Sequence, residues 1–268
     1  MNKKQTKTNS NWWTEKYGFF GKFYMEGDAS IEGFLTKKMS LSKRTKREVV
    51  GIIRILGLKR GMKVLDAPCG YGRHSIELAR KGINIVGSDI NSTELLRAKR
   101  EAKKQRLDVK FVKENMLDIE YKKEFDAVIN MFYSFGFFNT DKENNQVLKN
   151  FYNALKPGGK FLMHTDVNIP RIKAGKYKLE EERRLISGGR LKIIDKYNPK
   201  TKRIEGVWII TKSNGRVEEK HYSVRVYEKD EFIRLCKRIG FKNCVAYSSW
   251  DKKPYSKLGE EIMFVAEK

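Results

Sequence analysis

The stretch Val64-Leu65-Asp66-Ala67-Pro68-Cys69-Gly70-Tyr71-Gly72-Arg73 restricts the fold more than any other part of the chain. A short apolar strand ends beside a carboxylate, a glycine-rich turn follows, and helical spacing begins at Arg73. Glycines let backbone N–H groups approach a ligand, and the start of a helix favours negative charge there. Such a turn belongs between the first strand and first helix of an open parallel sheet, where ligands sit beyond the carboxyl ends of the strands.

The flanking sequence agrees. From Thr45, the apolar positions Val49, Ile52, Ile53 and Leu56 recur at helical spacing and Gly57 offers a stop, which delivers the chain into a strand at 63–67. Alternation of short apolar runs with amphipathic stretches then predicts helices at 73–81, 92–105 and 141–155 and strands at 83–88, 109–112, 125–131 and 160–166. Lys156-Pro157-Gly158-Gly159 reads as a turn before the last of these strands. After Pro170, apolar and polar residues alternate in 184–186, 191–197, 203–211 and 217–227 around Ser187-Gly188-Gly189, Asn198-Pro199 and Ser213-Asn214-Gly215, which predicts antiparallel hairpins. A helix at 229–239 stopped by Gly240 and strands at 242–249 and 260–267 complete the pattern. The expected class is α/β: a doubly wound, mostly parallel, seven-stranded Rossmann-like sheet with an antiparallel insertion at 171–228. Residues 1–10 are expected to be disordered. The aromatic segment around Trp12, Trp13, Tyr17, Phe19, Phe20, Phe23 and Tyr24, broken by glycines, is neither a clean helix nor a clean strand; residues 1–44 are read as a tail and a lid.

Asp89 follows Asp66 by 23 residues at the end of the second strand, where a carboxylate can accept from both ribose hydroxyls. Together with the turn it indicates an adenosine-containing ligand. A dinucleotide fits less well, because Ser75 stands where a third glycine would let helix and strand close over a pyrophosphate.

The turn, with Ser88-Asp89-Ile90-Asn91, Glu114-Asn115-Met116, Phe125-Asp126-Ala127-Val128-Ile129-Asn130-Met131 and Leu155-Lys156-Pro157-Gly158-Gly159, resembles the motifs of class I S-adenosylmethionine-dependent methyltransferases over residues 45–268. That resemblance implies S-adenosylmethionine as cofactor and a catalytic domain spanning 45–268. It implies Asp66 and Gly70 at the amino-acid end of the cofactor with Gly72 close to it, Pro68 and Arg73 among the cofactor-binding residues, Asp89 on the ribose and Ile90 on the adenine. Asn115 and Met116 meet the adenine edge and face, and Asn130 and Met131 lie beneath. Trp13 and Tyr17 are expected to close over it. Many relatives carry Gly-Asp where this chain has Glu114-Asn115, so an amide oxygen takes the place of the carboxylate that accepts from the adenine amine.

Methyl transfer is an in-line displacement, so the protein's task is to hold an electron-rich atom against the methyl in a dry pocket. A base is needed only where the acceptor loses a proton. Candidates are Tyr133 and Ser134 after the fourth strand, and His164 and Asp166, whose alternation on the fifth could aim both at one pocket. His221 and Arg225 lie in the hairpins, and His221 reads as structural. The stretch Tyr222–Phe232 followed by Gly240-Phe241 is similar to a subgroup in which antiparallel strands cover a small-molecule substrate, including amino sugars and natural products. A small acceptor methylated on nitrogen, oxygen or carbon is therefore expected first.

Charge keeps a second class open. Lys and Arg number 57 against 33 Asp and Glu, a net +24, which suggests RNA or protein methylation. The basic residues are spread along the whole chain, however. No Asn-Pro-Pro-Tyr-type motif follows the fourth strand, where Asn130-Met131-Phe132-Tyr133 stands. An anionic small acceptor would suit the same charge, and nucleic acid is the lesser expectation. A third class, a non-enzymatic cofactor-binding protein, is disfavoured by the intact turn and Asp89. Cys69, Cys236 and Cys244 have no C-x-x-C spacing, so no metal site is expected, and a reducing, cytoplasmic setting is. No apolar run approaches the ~18 residues of a membrane span.

Overall fold

The structure is a computed structural model and describes residues 11–30, 39–132 and 134–268. Seven strands form the central sheet: β1 (Lys63–Asp66), β2 (Asn84–Asp89), β3 (Val109–Lys113), β4 (Phe125–Asn130), β5 (Leu155–Thr165), β10 (Lys242–Tyr247) and β11 (Ile262–Glu267). Their order is β10-β11-β5-β4-β1-β2-β3, and β11 alone runs against the other six. The doubly wound α/β class expected from the sequence is what the chain adopts.

Strand periodicity divides the core. On β5, Phe161 and Met163 face one layer and Leu162 the other, and on β11 Ile262, Phe264 and Ala266 oppose Met263 and Val265. The first layer is filled from α5 (Asp141–Ala154) and α7 (Lys229–Ile239), the second from α2 (Leu41–Leu56) and α3 (Arg73–Arg80). Beside α3, α4 (Ser92–Lys104) packs Leu95, Ala98 and Ala102 against Phe111. Helix ends follow local chemistry: the Asn91 and Ser40 side chains accept from Glu94 N and Lys43 N, Thr140 and Glu143 form a capping box, and Gly57 and Gly240 close α2 and α7 at positive φ.

The insertion is a four-stranded antiparallel meander: β6 (Glu180–Arg184), β7 (Arg190–Asn198), β8 (Arg203–Thr211) and β9 (Val217–Arg225). A short helix, α6 (Ile169–Lys173), leads into it. Leu191, Ile204, Trp208, Ile210 and Val224 bury one face of this sheet against Trp12, Phe19 and Phe23 of the N-terminal segment. That segment contains a helix after all, α1 (Lys22–Asp28), because Gly27 lies flat on the Trp208 ring: a Cβ there would come within 2.7 Å of it. A second difference lies at Lys156–Gly159, expected as a turn. These residues lie within β5, but Gly158 takes φ 74 and the register beside β4 slips from Phe125↔Leu155 to Ala127↔Lys160, so the turn expected there is a bulge inside the strand. Among the described residues, no helix is long and apolar enough to cross a membrane.

Candidate active site

A cavity of about 350 Å³ opens beyond the carboxyl ends of β1, β2, β4 and β5, roofed by the N-terminal segment and the inserted sheet. Pro68, Gly70, Arg73, Asp89, Ile90, Asn115, Met116, Met131 and Trp13 all line it. These are expected cofactor residues, contributed by separate strand ends to one wall.

Asp89 pins the turn. One oxygen accepts from Gly70 N and the other from Asn91 N, both at 2.8 Å. Burial raises this carboxyl, while the backbone N–H groups of Asn91, Gly70 and Ile90 oppose the rise. Gly70, at φ 54, has nothing within 4 Å of where a Cβ would sit, which leaves the turn open to a ligand. Asp66 lies beneath the wall rather than on it, 1% exposed. One oxygen accepts from Ser75 Oγ at 2.6 Å, the other has no partner among the described residues, and burial pushes the group up to about 7.

Four cofactor expectations change in detail. Gly72 is not on the wall; its missing side chain makes room for Ala98 and Phe111, each 2.9 Å from a Cβ placed there. Asn130 is buried and clamps the floor, donating to Ala67 O at 2.7 Å and accepting from Phe135 N at 2.9 Å. Tyr17 stays off the wall, where its hydroxyl accepts from His221 N at 2.8 Å. Asn115 is on the wall, but its oxygen already accepts from Leu117 N at 3.0 Å as a helix cap. Beside it, Glu114 carries a buried oxygen with no partner among the described residues.

The catalytic candidates separate. His164 is fully buried away from the cavity, stacked on Trp250 and edge-on to Phe132, with Nε2 3.5 Å from Glu261. It shares the face of Leu162, turned toward α2. Asp166 reaches the wall because the strand ends at Thr165 and the chain bends away, which breaks the alternation that would have aimed both at one pocket. Tyr133 lies outside the described residues. Ser134 lines the cavity with its hydroxyl donating to Met131 O. His221 pairs with Glu219 off the wall, and Arg225 is held by Glu231 and Asp141.

Sequence reading missed three features whose partners lie far apart in the chain. Glu48 on α2 receives Arg44 Nε at 2.8 Å, Arg73 Nη1 at 2.5 Å and His74 Nε2 at 2.9 Å. Burial alone would raise this carboxyl, yet Arg73, His74 and Arg44 hold it well below its usual range. Glu94, 3% exposed and on the wall, accepts from Gly21 N at 3.1 Å and so ties the N-terminal segment to α4. Asp195 of β7 accepts a hydrogen bond from the Tyr222 hydroxyl of β9, and both line the cavity. An isolated glycine in β8, Gly206, was the available signal for the last.

The fit to S-adenosylmethionine rests on this wall. Glu114 on the wall and Asp66 beneath it each keep a buried oxygen without a partner among the described residues, and the glycine turn is open at Gly70. Carboxylates suit an ammonium group, ribose hydroxyls and an exocyclic amine.

Comparison with known proteins agrees. A family model described as a methyltransferase domain matches residues 58–224. Glycine/sarcosine N-methyltransferase of Halorhodospira halochloris is 28% identical over 138 residues, covering 50% of this chain and 52% of that one. A sterol 24-C-methyltransferase of Saccharomyces cerevisiae is 31% identical over 135 residues, 46% of this chain and 34% of its own. The match thus spans about half or less of these curated relatives. An S-adenosylmethionine-dependent methyltransferase structure from Clostridium acetobutylicum superposes with a TM-score of 0.73 at 15% identity, covering 92% of this chain and 97% of the other, a likeness of fold. With most of the sheet and the whole glycine turn inside the matched region, the chain belongs to the methyltransferase-domain family.

Proposed function

We propose that the protein transfers a methyl group from S-adenosylmethionine to a small-molecule acceptor. The observation that carries this reading is one continuous cavity that runs from the Gly70–Asp89 turn to a roofed pocket of aromatic and acidic side chains. When bound, the cofactor supplies a methyl on a sulfonium centre. Asp89 holds the ribose, Ile90 and Met116 pack on the adenine, and Glu114 with Asn115 takes its edge. Asp66, through its free oxygen, and Gly70 serve the amino-acid end, with Pro68 and Arg73 nearby. Glu48 fixes Arg73 by ion pairing, so that the guanidinium is oriented before any ligand arrives.

The roof excludes water and confines the acceptor. Trp12 anchors it, donating from Nε1 to Ser223 O at 2.9 Å, and Trp13 reaches the wall beside Phe138. Within the tail-and-lid segment 1–44 the described residues 11–30 act as the lid, and 171–228 act as the substrate cover on the 45–268 catalytic domain. Small acceptors are also what the names of the two curated relatives specify, an amino acid and a sterol.

Isothermal titration tests the donor, and tritiated methyl transfer into metabolite pools tests the acceptor class. Expected are S-adenosylmethionine binding that weakens at least about tenfold in Asp89→Ala, and label in small molecules but not in RNA. A protein that binds neither the cofactor nor S-adenosylhomocysteine sinks the reading.

A further inference from the structure

The acceptor half of the cavity brings the carboxylates of Asp166, Glu181, Asp195 and Glu260 into one wall with Arg44, Arg171, Lys178 and Arg183. Register explains how part of it is built. Asp195, Gly206 and Tyr222 form one cross-strand row over β7, β8 and β9. Gly206 leaves the middle of the row empty; a Cβ there would collide with both the Tyr222 ring and the Asp195 carboxylate. The ring therefore crosses β8 and its hydroxyl donates to Asp195. Asp166 meets this pair from the end of β5.

Burial, countered by the Tyr222 hydrogen bond and reinforced by the nearby charges of Asp166 and Glu181, brings Asp195 up to about 7. Tyr177 faces the same carboxylates. Among the described residues, no lysine, arginine or histidine forms an ion pair with Asp166 or Asp195. The arginines on the wall hold other carboxylates: Arg183 with Glu181 at 2.6 Å, Arg171 with Glu260 at 3.6 Å, Arg44 and Arg73 with Glu48. Lys178 stands exposed at the rim. Among the described residues no cation acts on Asp195, and the charges that reach Asp166, those of His164 and Arg44, come from groups already engaged with Glu261 and Glu48. A cationic ligand relieves the cost of burying the two carboxylates. An anionic acceptor, which the overall charge had suggested, meets repulsion here.

We propose that the acceptor is a primary or secondary amine that enters as its ammonium ion and is held between Asp166 and Asp195. The proposal rests on the methyltransferase reading of the site. One N–H proton passes to the Asp195 carboxylate, whose other interactions the Tyr222 hydroxyl fixes. The freed nitrogen lone pair then forms the N–C bond as the methyl leaves sulfur, which keeps the electron pair of the broken C–S bond.

The test uses the full chain saturated with S-adenosylhomocysteine and titrated with cyclohexylamine, cyclohexanol and cyclohexanecarboxylate at about pH 7.5, where the amine is protonated. The amine should bind at least about tenfold more tightly than the other two. Asp166→Asn with Asp195→Asn should erase that preference while S-adenosylhomocysteine affinity stays unchanged. Equal or tighter binding of the alcohol or the carboxylate to the wild type, no binding of the amine, or a preference intact in the variant overturns the proposal. Wild-type protein that takes no S-adenosylhomocysteine overturns the methyltransferase reading, and this proposal with it.

Discussion

Asp66 shows how a buried carboxylate couples stability to pH. It is almost fully buried, with one oxygen bonded to Ser75 and the other without a partner among the described residues. Its folded-state pKa of about 7 lies above that of an unfolded aspartate, about 3.9. A raised pKa means the folded chain binds the proton more tightly, so this group's stabilising contribution is complete below about pH 4 and is lost as pH rises through about 7. Asp66→Asn removes the titration. The variant should gain on the wild type as pH climbs, reaching an advantage of about 1–3 kcal/mol at about pH 8, while losing cofactor affinity. Urea unfolding of both proteins at about pH 5 and about pH 8 measures the difference, and parallel stabilities at the two pH values would exclude it. At this scale the sequence was legible where chain spacing alone sets position. Asp89, Ile90, Asn115, Met116 and Met131 follow strand ends and reach the wall for that reason. His164 was misplaced because it keeps the Leu162 face of β5 while only Asp166, past the end of the strand, turns to the wall. Glu48, Glu94 and Asp195 are defined largely by partners distant in sequence, with Gly206 the one local signal, for Asp195.

Elements were legible where their ends are chemical. The helix at 229–239 is found with the expected bounds because Gly240 adopts φ 117, and the insertion's hairpins fall between their glycine and asparagine turns. Short α1 was not legible, since seven residues with Gly27 near the end have little helical tendency of their own. Its order comes from docking on the inserted sheet, where Gly27 approaches Trp208 and Glu94 holds Gly21. A methyl group at Gly27 would push the helix off that surface, a packing error worth about 1–3 kcal/mol. Because this segment meets the central domain through hydrogen bonds at its surface, of Gly21 N to Glu94, Ser92 N and Lys113 to Glu15 and Tyr71 to Asp28, the cost should appear as local opening rather than global unfolding. In Gly27→Ala, trypsin should cut at Lys16 and Lys22 faster than in the wild type, with S-adenosylhomocysteine affinity reduced and the main thermal transition little moved. Cleavage rates equal to the wild type, or a collapse of the main transition, would show that α1 is not an independently docked lid.

Over the whole molecule, charge and cavity point in different directions. A net +24 spread over the surface attracts any polyanion, and that attraction carries no information about what the protein modifies. The reacting space is roofed, and its acceptor half displays carboxylates to whatever enters. A nucleic-acid backbone would have to bring its phosphates past Asp166 and Asp195, so surface binding and chemistry should be separable by salt. Counterion release makes the affinity for a homopolymer RNA fall steeply, by about a hundredfold or more for several phosphate contacts between about 50 and 200 mM salt. Ligand binding inside a roofed cavity is screened far less, and S-adenosylhomocysteine affinity should change by no more than about twofold over the same range. Filter binding of polyuridylate and titration of S-adenosylhomocysteine at matched salt concentrations compare the two directly, with tritiated methyl transfer run alongside. Label entering RNA at low salt, and disappearing in step with RNA binding as salt rises, would make the basic surface part of the substrate site. Label that enters only small molecules at every salt concentration leaves the charge outside the chemistry and the roofed pocket as the element that selects the acceptor.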